Sequence, residues 1–200
     1  MASSSLSLSD PRIHMGEVFW HESRPSEQGR GVVVRKDIEG KETDLIAAPY
    51  SARSGVHEYG GRCYTLSDNF LYFVNSADQQ IYRQSLIQAN SKPQRITPID
   101  KRRYADLEWT ANGNKLLAVC EDHRDDGEAK TSIQLIVLSS DDEVEPQTLV
   151  EGADFYAYPR ISADGTRLCW VQWDHPHMPW FSAELWVADF QKNPVERLER

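Results

Sequence analysis

The sequence predicts an all-β protein: a partial β-propeller of about four four-stranded antiparallel blades. Three observations carry this. Short apolar or aromatic runs recur between turn residues. A strand, turn, strand string repeats at a spacing of about 50 residues. The strongest runs are apolar on both faces, whereas a sheet with one wet face alternates apolar with polar.

The elements follow in order. Met1 to Asp10 is Ser-rich, without an apolar stretch or arginines, so residues 1–9 are expected to be a disordered tail. Residues 10–60 form the first unit, with Gly31–Arg35 as its clearest strand. Residues 61–104 form the second. There the turn Asp68-Asn69 leads into Phe70–Asn75, then Gln80-Ile81-Tyr82-Arg83, then Pro93-Gln94-Arg95-Ile96. Residues 105–153 and 154–200 are the third and fourth units. Trp109–Cys120 aligns with Ile161–Gln172 at an offset of 52, so the turn Asn112-Gly113 falls on Asp164-Gly165. The next strands, Gln134–Leu138 and Glu184–Ala188, align at an offset of 50. Each is followed by a weaker strand, Gln147–Val150 and Val195–Leu198. Four short strands at this period make a propeller blade.

Burial on two faces supports the same architecture. In Arg167–Trp173, Leu168 and Trp170 point one way, and Cys169, Val171 and Trp173 the other. Leu116–Cys120 and Phe70–Val74 behave alike. Stacked blades supply a layer on each side without helices. The rival is an α/β sheet, which needs amphipathic helices as cover. Ala77–Asn90, with Ile81, Tyr82, Leu86 and Ala89, is the best helix candidate, and one helix cannot cover such a sheet.

Composition excludes other classes. No apolar run approaches the roughly 20 residues of a membrane-spanning helix. The net charge of −9 argues against nucleic acid or an anionic membrane as partner. Eleven acids lie between Glu121 and Asp154, with only Arg124 and Lys130 as bases, which reads as two solvated connectors. Asp122, Asp125, Asp126 and Glu128 do not match a calcium loop. Cys63, Cys120 and Cys169 have neither zinc nor disulfide spacing. Cys120 and Cys169 read as small buried hydrophobes. Reduced thiols and the absence of a signal peptide imply a cytoplasmic protein. No metal and no cofactor is expected.

Several strings go beyond repeat chemistry. In order they are Phe19–Arg30, Val56-His57-Glu58-Tyr59-Gly60-Gly61, Arg103–Leu107, Val150–Tyr156, Trp173–Trp180 and Glu184–Asp189. Together they resemble the amino-terminal propeller of the prolyl oligopeptidase family, in its acylaminoacyl-peptidase and dipeptidyl aminopeptidase branch. The likeness covers residues 10–200. It departs from the family pattern at Phe181-Ser182-Ala183, where an Asp and a Gly are usual. It implies a propeller of about seven blades over an α/β-hydrolase domain with a Ser-Asp-His triad, in which the propeller restricts access to short peptides. This chain holds no G-x-S-x-G elbow, so the hydrolase domain is absent from it and no catalytic residue is assigned. The expected function is non-catalytic gating and confinement of short peptides for that domain. The alternatives are a stand-alone propeller-like protein-binding module and a truncated product without activity.

Candidate site residues follow. His57, Glu58 and Tyr59 belong to the densest polar string, in which Glu58 as a partly buried carboxylate would pair with a peptide amino terminus. Structurally, Gly60 and Gly61 make a tight turn or a close blade contact. Asp174, His175 and Trp180 sit on a rigid Pro-containing loop that walls the substrate cavity or contacts the hydrolase domain, or else is purely structural. Arg24, Glu27 and Arg30 form a charged turn, read as a clamp between strands. Partners are short peptides and a carboxy-terminal hydrolase domain. An incomplete ring leaves apolar blade faces uncovered, so the chain alone is expected to self-associate. It is also expected to remain unlabelled by a fluorophosphonate serine probe, and stoichiometric labelling would refute the non-catalytic reading.

Overall fold

The computed structural model describes residues 5–88, 90–110, 114–138 and 143–190, and the backbone of 196–199. Four antiparallel sheets of four strands each follow one another along the chain. Blade 1 holds β1 (Ser7–His14), β2 (Glu17–Arg24), β3 (Arg30–Lys36) and β4 (Glu42–Asp44). Blade 2 holds β5 (Tyr64–Leu66), β6 (Phe70–Val74), β7 (Ile81–Ser85) and β8 (Gln94–Arg95). Blade 3 holds β9 (Arg102–Thr110), β10 (Lys115–Asp122), β11 (Lys130–Val137) and β12 (Gln147–Glu151). Blade 4 holds β13 (Phe155–Ile161), β14 (Arg167–Trp173), β15 (Glu184–Asp189) and β16 (Glu196–Glu199). Helix is confined to one 3-10 turn, Pro25–Glu27, among the described residues. None of these elements is a helix long and apolar enough to cross a membrane.

Two sequence expectations change. Residues 7–9 are not part of a disordered tail, because Ser7, Leu8 and Ser9 pair with Ser23, Glu22 and His21 in the β1–β2 ladder. A Ser-rich, weakly apolar segment becomes a strand here because a paired neighbour satisfies its backbone. The helix candidate Ala77–Asn90 is strand β7 over Ile81–Ser85, hydrogen-bonded to β6 and β8. The turn Asn112-Gly113 and residues 139–142 of the second acidic connector lie outside the described residues.

Each strand order follows the sequence, so every connection joins neighbours. Asx and Gly residues make the tight ones. Asp164 accepts from Thr166 N–H, and Gly165 takes φ +72° while donating to Ser162 O at 2.8 Å. Packing then works through sheet faces. On β10, Leu116, Ala118 and Cys120 join a core with Phe19, Tyr64, Phe73 and Tyr104 of blades 1, 2 and 3. The alternate residues Leu117 and Val119 join Ile133, Leu168 and Trp170 in a second core against blade 4. Blade 3 is thus the middle of a sandwich, and its central strand is buried on both faces. Each such side chain contributes ~1.5–3 kcal/mol of burial.

Blade 4 departs from this. Leu168 and Trp170 are fully buried, while Cys169 and Val171 are half-exposed and their neighbour Leu185 is 61% exposed. The expectation of a buried Cys169 therefore fails. No blade among the described residues covers that face, so its period-2 apolar pattern meets solvent.

Gly31 shows how closely the first two blades approach. Its carbonyl accepts from Ala52 N–H at 2.9 Å. A Cβ at Gly31 would lie 2.0 Å from Ala52 O and 2.6 Å from His21 Nε2. Gly31→Ala is therefore expected to destabilise the chain by more than ~2 kcal/mol, because backbone atoms must move. Urea unfolding measures this, and an unchanged midpoint would refute the close approach.

Candidate functional site

The first strand of each blade runs along the propeller axis. There the chain encloses an open cavity of about 580 Å³, bordered by Ser9 and Asp10, Cys63, Ala105 and Asp106, and Tyr156 to Tyr158. The inner strands do not pass straight through. The ladders of β1, β9 and β13 each carry a bulge. At these bulges Asp10, Asp106 and Tyr158 take φ of +48°, +51° and +54°. A bulge re-aims the strand and frees backbone groups from the ladder.

Asp106 uses those freed groups. Its carboxylate is almost fully buried. Oδ1 accepts from Arg62 N–H at 2.9 Å and Oδ2 from Tyr158 N–H at 2.8 Å. Its own N–H donates to Arg62 O at 2.7 Å. One side chain thus joins blades 3 and 4 to the strand leading into blade 2. Arg62 stands 3.5 Å from the same carboxylate and lies over the Tyr158 ring.

The wall away from the axis is aromatic. His57 has φ +54°, and its N–H donates to Glu121 Oε1 at 3.2 Å. Its ring packs edge-on against Phe155 and Trp173, with Tyr59 tilted beside it. Phe155 and Trp173 stack on each other at 5.3 Å. Burial holds the His57 imidazole below its ordinary 6.5, against the nearby charges of Glu121 and Asp106. His21 behaves alike: burial lowers it, with its Nε2 donating to Ala52 O and its Nδ1 accepting from Ser9 Oγ.

The sequence-predicted residues divide. His57, Tyr59, Gly60 and Gly61 border the cavity. Glu58 does not: its side chain is 85% exposed and ion-paired with Arg103 at 2.8 Å. The expectation of a partly buried carboxylate there fails, because the left-handed turn at His57 and Glu58 carries it outward. Gly60 has φ +82°, and a Cβ there would lie 2.7 Å from Ser54 O. A Cβ on Gly61 would lie 3.0 Å from that of Ala105.

Asp174 lies outside the lining and accepts from Asp154 N–H, while Asp154 accepts from His175 N–H, both at 2.8 Å. This reciprocal pair fastens the loop to the start of β13. His175 packs edge-on against Phe155. Trp180 is 71% exposed beside Phe181, and their loop neighbour Pro179 touches the cavity. Arg24, Glu27 and Arg30 are remote from it. Arg24 grips Asp44 with two bonds of 2.5 and 2.7 Å and Glu22 with a third, and Arg30 holds Glu27 at 2.6 Å.

No cluster of three or more acidic, His or Cys side chains among the described residues is arranged for a metal. Burial pushes the Cys63 thiol up to about 12, so it stays protonated. Ser54, near His57 in sequence, donates instead to Tyr104 O.

Sequence reasoning missed Arg53, Arg62, Asp106, Tyr158 and Trp173 as lining residues. A signal existed for two of them. The repeat offset of 52 carries Asp106 onto Tyr158, and both occupy the same bulge.

The depressed His57 has a consequence for stability. The unfolded chain takes up a proton near 6.5 and the folded ring resists it, so folding is penalised once pH falls below that value. Stability is expected to drop between about pH 7 and pH 5. His57→Asn, tolerant of left-handed backbone, is expected to reduce this slope, leaving the part owed to the likewise depressed His21. Denaturant unfolding across that range measures both.

No family model and no curated protein matches the chain. Solved structures do. A puromycin-hydrolyzing peptidase of Mycobacterium tuberculosis aligns over 95% of this chain and 31% of its own, at 35% identity and TM-score 0.85. A puromycin hydrolase aligns over 99% of this chain and 32% of its own, at 25% identity and TM-score 0.87. TolB from Acinetobacter baumannii, at 15% identity and TM-score 0.63 over 96% of this chain and 43% of its own, shares the fold alone. The chain therefore spans about a third of the length of the peptidases it matches. Its ordered motifs, its four-stranded blades and its likeness to these peptidases along nearly its whole length place it in the prolyl oligopeptidase family, as a portion of the β-propeller.

Proposed function

We propose that this propeller segment confines short peptide substrates and gates their access to an α/β-hydrolase domain of the same enzyme. The observation that carries this is the axial cavity. Its 580 Å³ lies within the range of small-ligand sites. Its walls combine Val56, Ala105 and Val171 with Tyr59, Tyr158 and Trp173. Such a lining strips water from an apolar side chain, and its few polar groups set orientation. A folded polypeptide cannot enter a space of this size, so confinement selects by length.

The related peptidases are named for hydrolysing puromycin. The reaction assigned to the whole enzyme is accordingly hydrolysis of short peptide or aminoacyl amide bonds. In this reading the catalytic serine belongs to the hydrolase domain, and the propeller supplies confinement. The apolar outer face of blade 4, with Leu185, takes a second copy when the chain is alone.

Filling the cavity tests the proposal. Ala157 borders it and is half-exposed. Calorimetric titration is expected to detect binding of tripeptides but not of polypeptides longer than about 30 residues, which exceed a pocket of this class. Ala157→Trp is expected to weaken tripeptide binding at least tenfold while the far-ultraviolet dichroism stays unchanged. Equal binding by that variant would place the peptide elsewhere.

A further inference from the structure

The four charged residues on the cavity wall are unequally satisfied. Asp10, Asp106, Arg53 and Arg62 border it. Asp106 has both oxygens engaged by backbone N–H groups. Asp10 lies 3.5 Å from Arg12. The two histidines on the wall, His21 and His57, are held toward their neutral forms by burial.

The arginines differ. Arg62 Nε and Nη2 are enclosed yet have no hydrogen-bond partner among the described residues. Asp106 is 3.5 Å from this guanidinium and already carries two N–H donors. The Tyr158 ring, 5.4 Å from its central carbon, offers a π face and no lone pair in hydrogen-bond reach. Arg53 is exposed, and its guanidinium has neither a hydrogen-bond nor an ion-pair partner among the described residues. Asp106 is thus occupied on both oxygens, whereas two Arg62 donors are enclosed without a hydrogen bond.

An enclosed guanidinium with unmet donors is stabilised by an incoming anion. The walls around it limit what that anion carries. Val56, Ala105, Ala157 and Val171 are apolar, and Trp173 and Tyr158 are aromatic. Such a surface suits one carboxylate beside an apolar side chain. A phosphate, with more charge and a larger hydration shell, has no further donors to meet here.

We infer that Arg53 and Arg62 form a carboxylate-binding subsite, and that the cavity takes short peptides by a free carboxy terminus flanked by an apolar or aromatic residue. This rests on the reading of the cavity as a peptide site and adds its polarity and substrate class. Arg53 and Arg62 are specificity-determining residues here and take no part in bond cleavage.

The test compares Ala-Ala-Phe bearing a free carboxylate with the same tripeptide as its carboxy-terminal amide. Both are titrated calorimetrically into the full 200-residue chain. The acid is expected to bind about tenfold more tightly than the amide, the scale of one charge-assisted hydrogen bond. Arg53→Gln alters an exposed side chain without structural partners and is expected to shrink that preference. Arg62→Lys keeps the charge, removes the planar fork and is expected to act in the same direction. Equal affinity for acid and amide in the wild type, or a preference that survives both substitutions, overturns the carboxylate subsite and leaves the peptide site standing. Failure of both peptides to bind overturns the peptide site and this inference with it.

Discussion

The structure depends on how separate sheets are held at a fixed angle around one axis. Strands within a blade share a backbone ladder, but blades do not. What joins blades is face packing, which is strong but non-directional. Asp106 supplies the direction. Its two oxygens accept backbone N–H groups from Arg62 and Tyr158, and its own N–H donates back to Arg62. A carboxylate buried without partners costs several kcal/mol, so this one is tolerable only where all three contacts exist together. That requirement sets the spacing of the inner strands, and the same spacing defines the cavity.

Around this staple the packing is graded along the chain. Blade 3 is covered on both sides, with one core shared with blades 1 and 2 and another shared with blade 4. Blade 1 carries a network of its own, in which Arg24 gathers Glu22, Glu27 and Asp44 across strands β2 to β4. Blade 4 has neither device on its outer face, where Leu185 remains exposed. The same apolar alternation is therefore core in one blade and surface in another. Position in the stack makes the difference, since equivalent strands have similar composition.

Mobility of the loop after β14 is limited by chemistry local to the site. Across its base the Asp174 carboxylate accepts from Asp154 N–H and the Asp154 carboxylate from His175 N–H, and the His175 ring packs on Phe155. The aromatic wall thereby continues from His57 through Phe155 to Trp173 without a gap in ring contacts. This fixes one side of the cavity, while Arg62 on its wall carries unmet donors. A rigid aromatic face beside an unsatisfied cation is a surface organised for a ligand with both an apolar body and a negative end.

The sequence by itself determined the strands, the blade period and the family likeness. Period-2 apolar runs and Asx-Gly turns act over a few neighbouring residues, so Phe70–Val74, Lys115–Asp122 and Arg167–Trp173 are legible without any partner. Part of the site was legible too: His57, Tyr59, Gly60 and Gly61 stand out as one string and do meet at the cavity. Tertiary structure alone decided the rest. It turned Glu58 outward, drew the Ser-rich Ser7–Ser9 into a ladder, left Cys169 half-exposed and brought Arg62, Asp106 and Tyr158 together from three blades. Those outcomes depend on bulges and on which face another blade covers. Such long-range facts leave no trace in local patterning, because a residue's neighbours in the chain do not specify what packs against it.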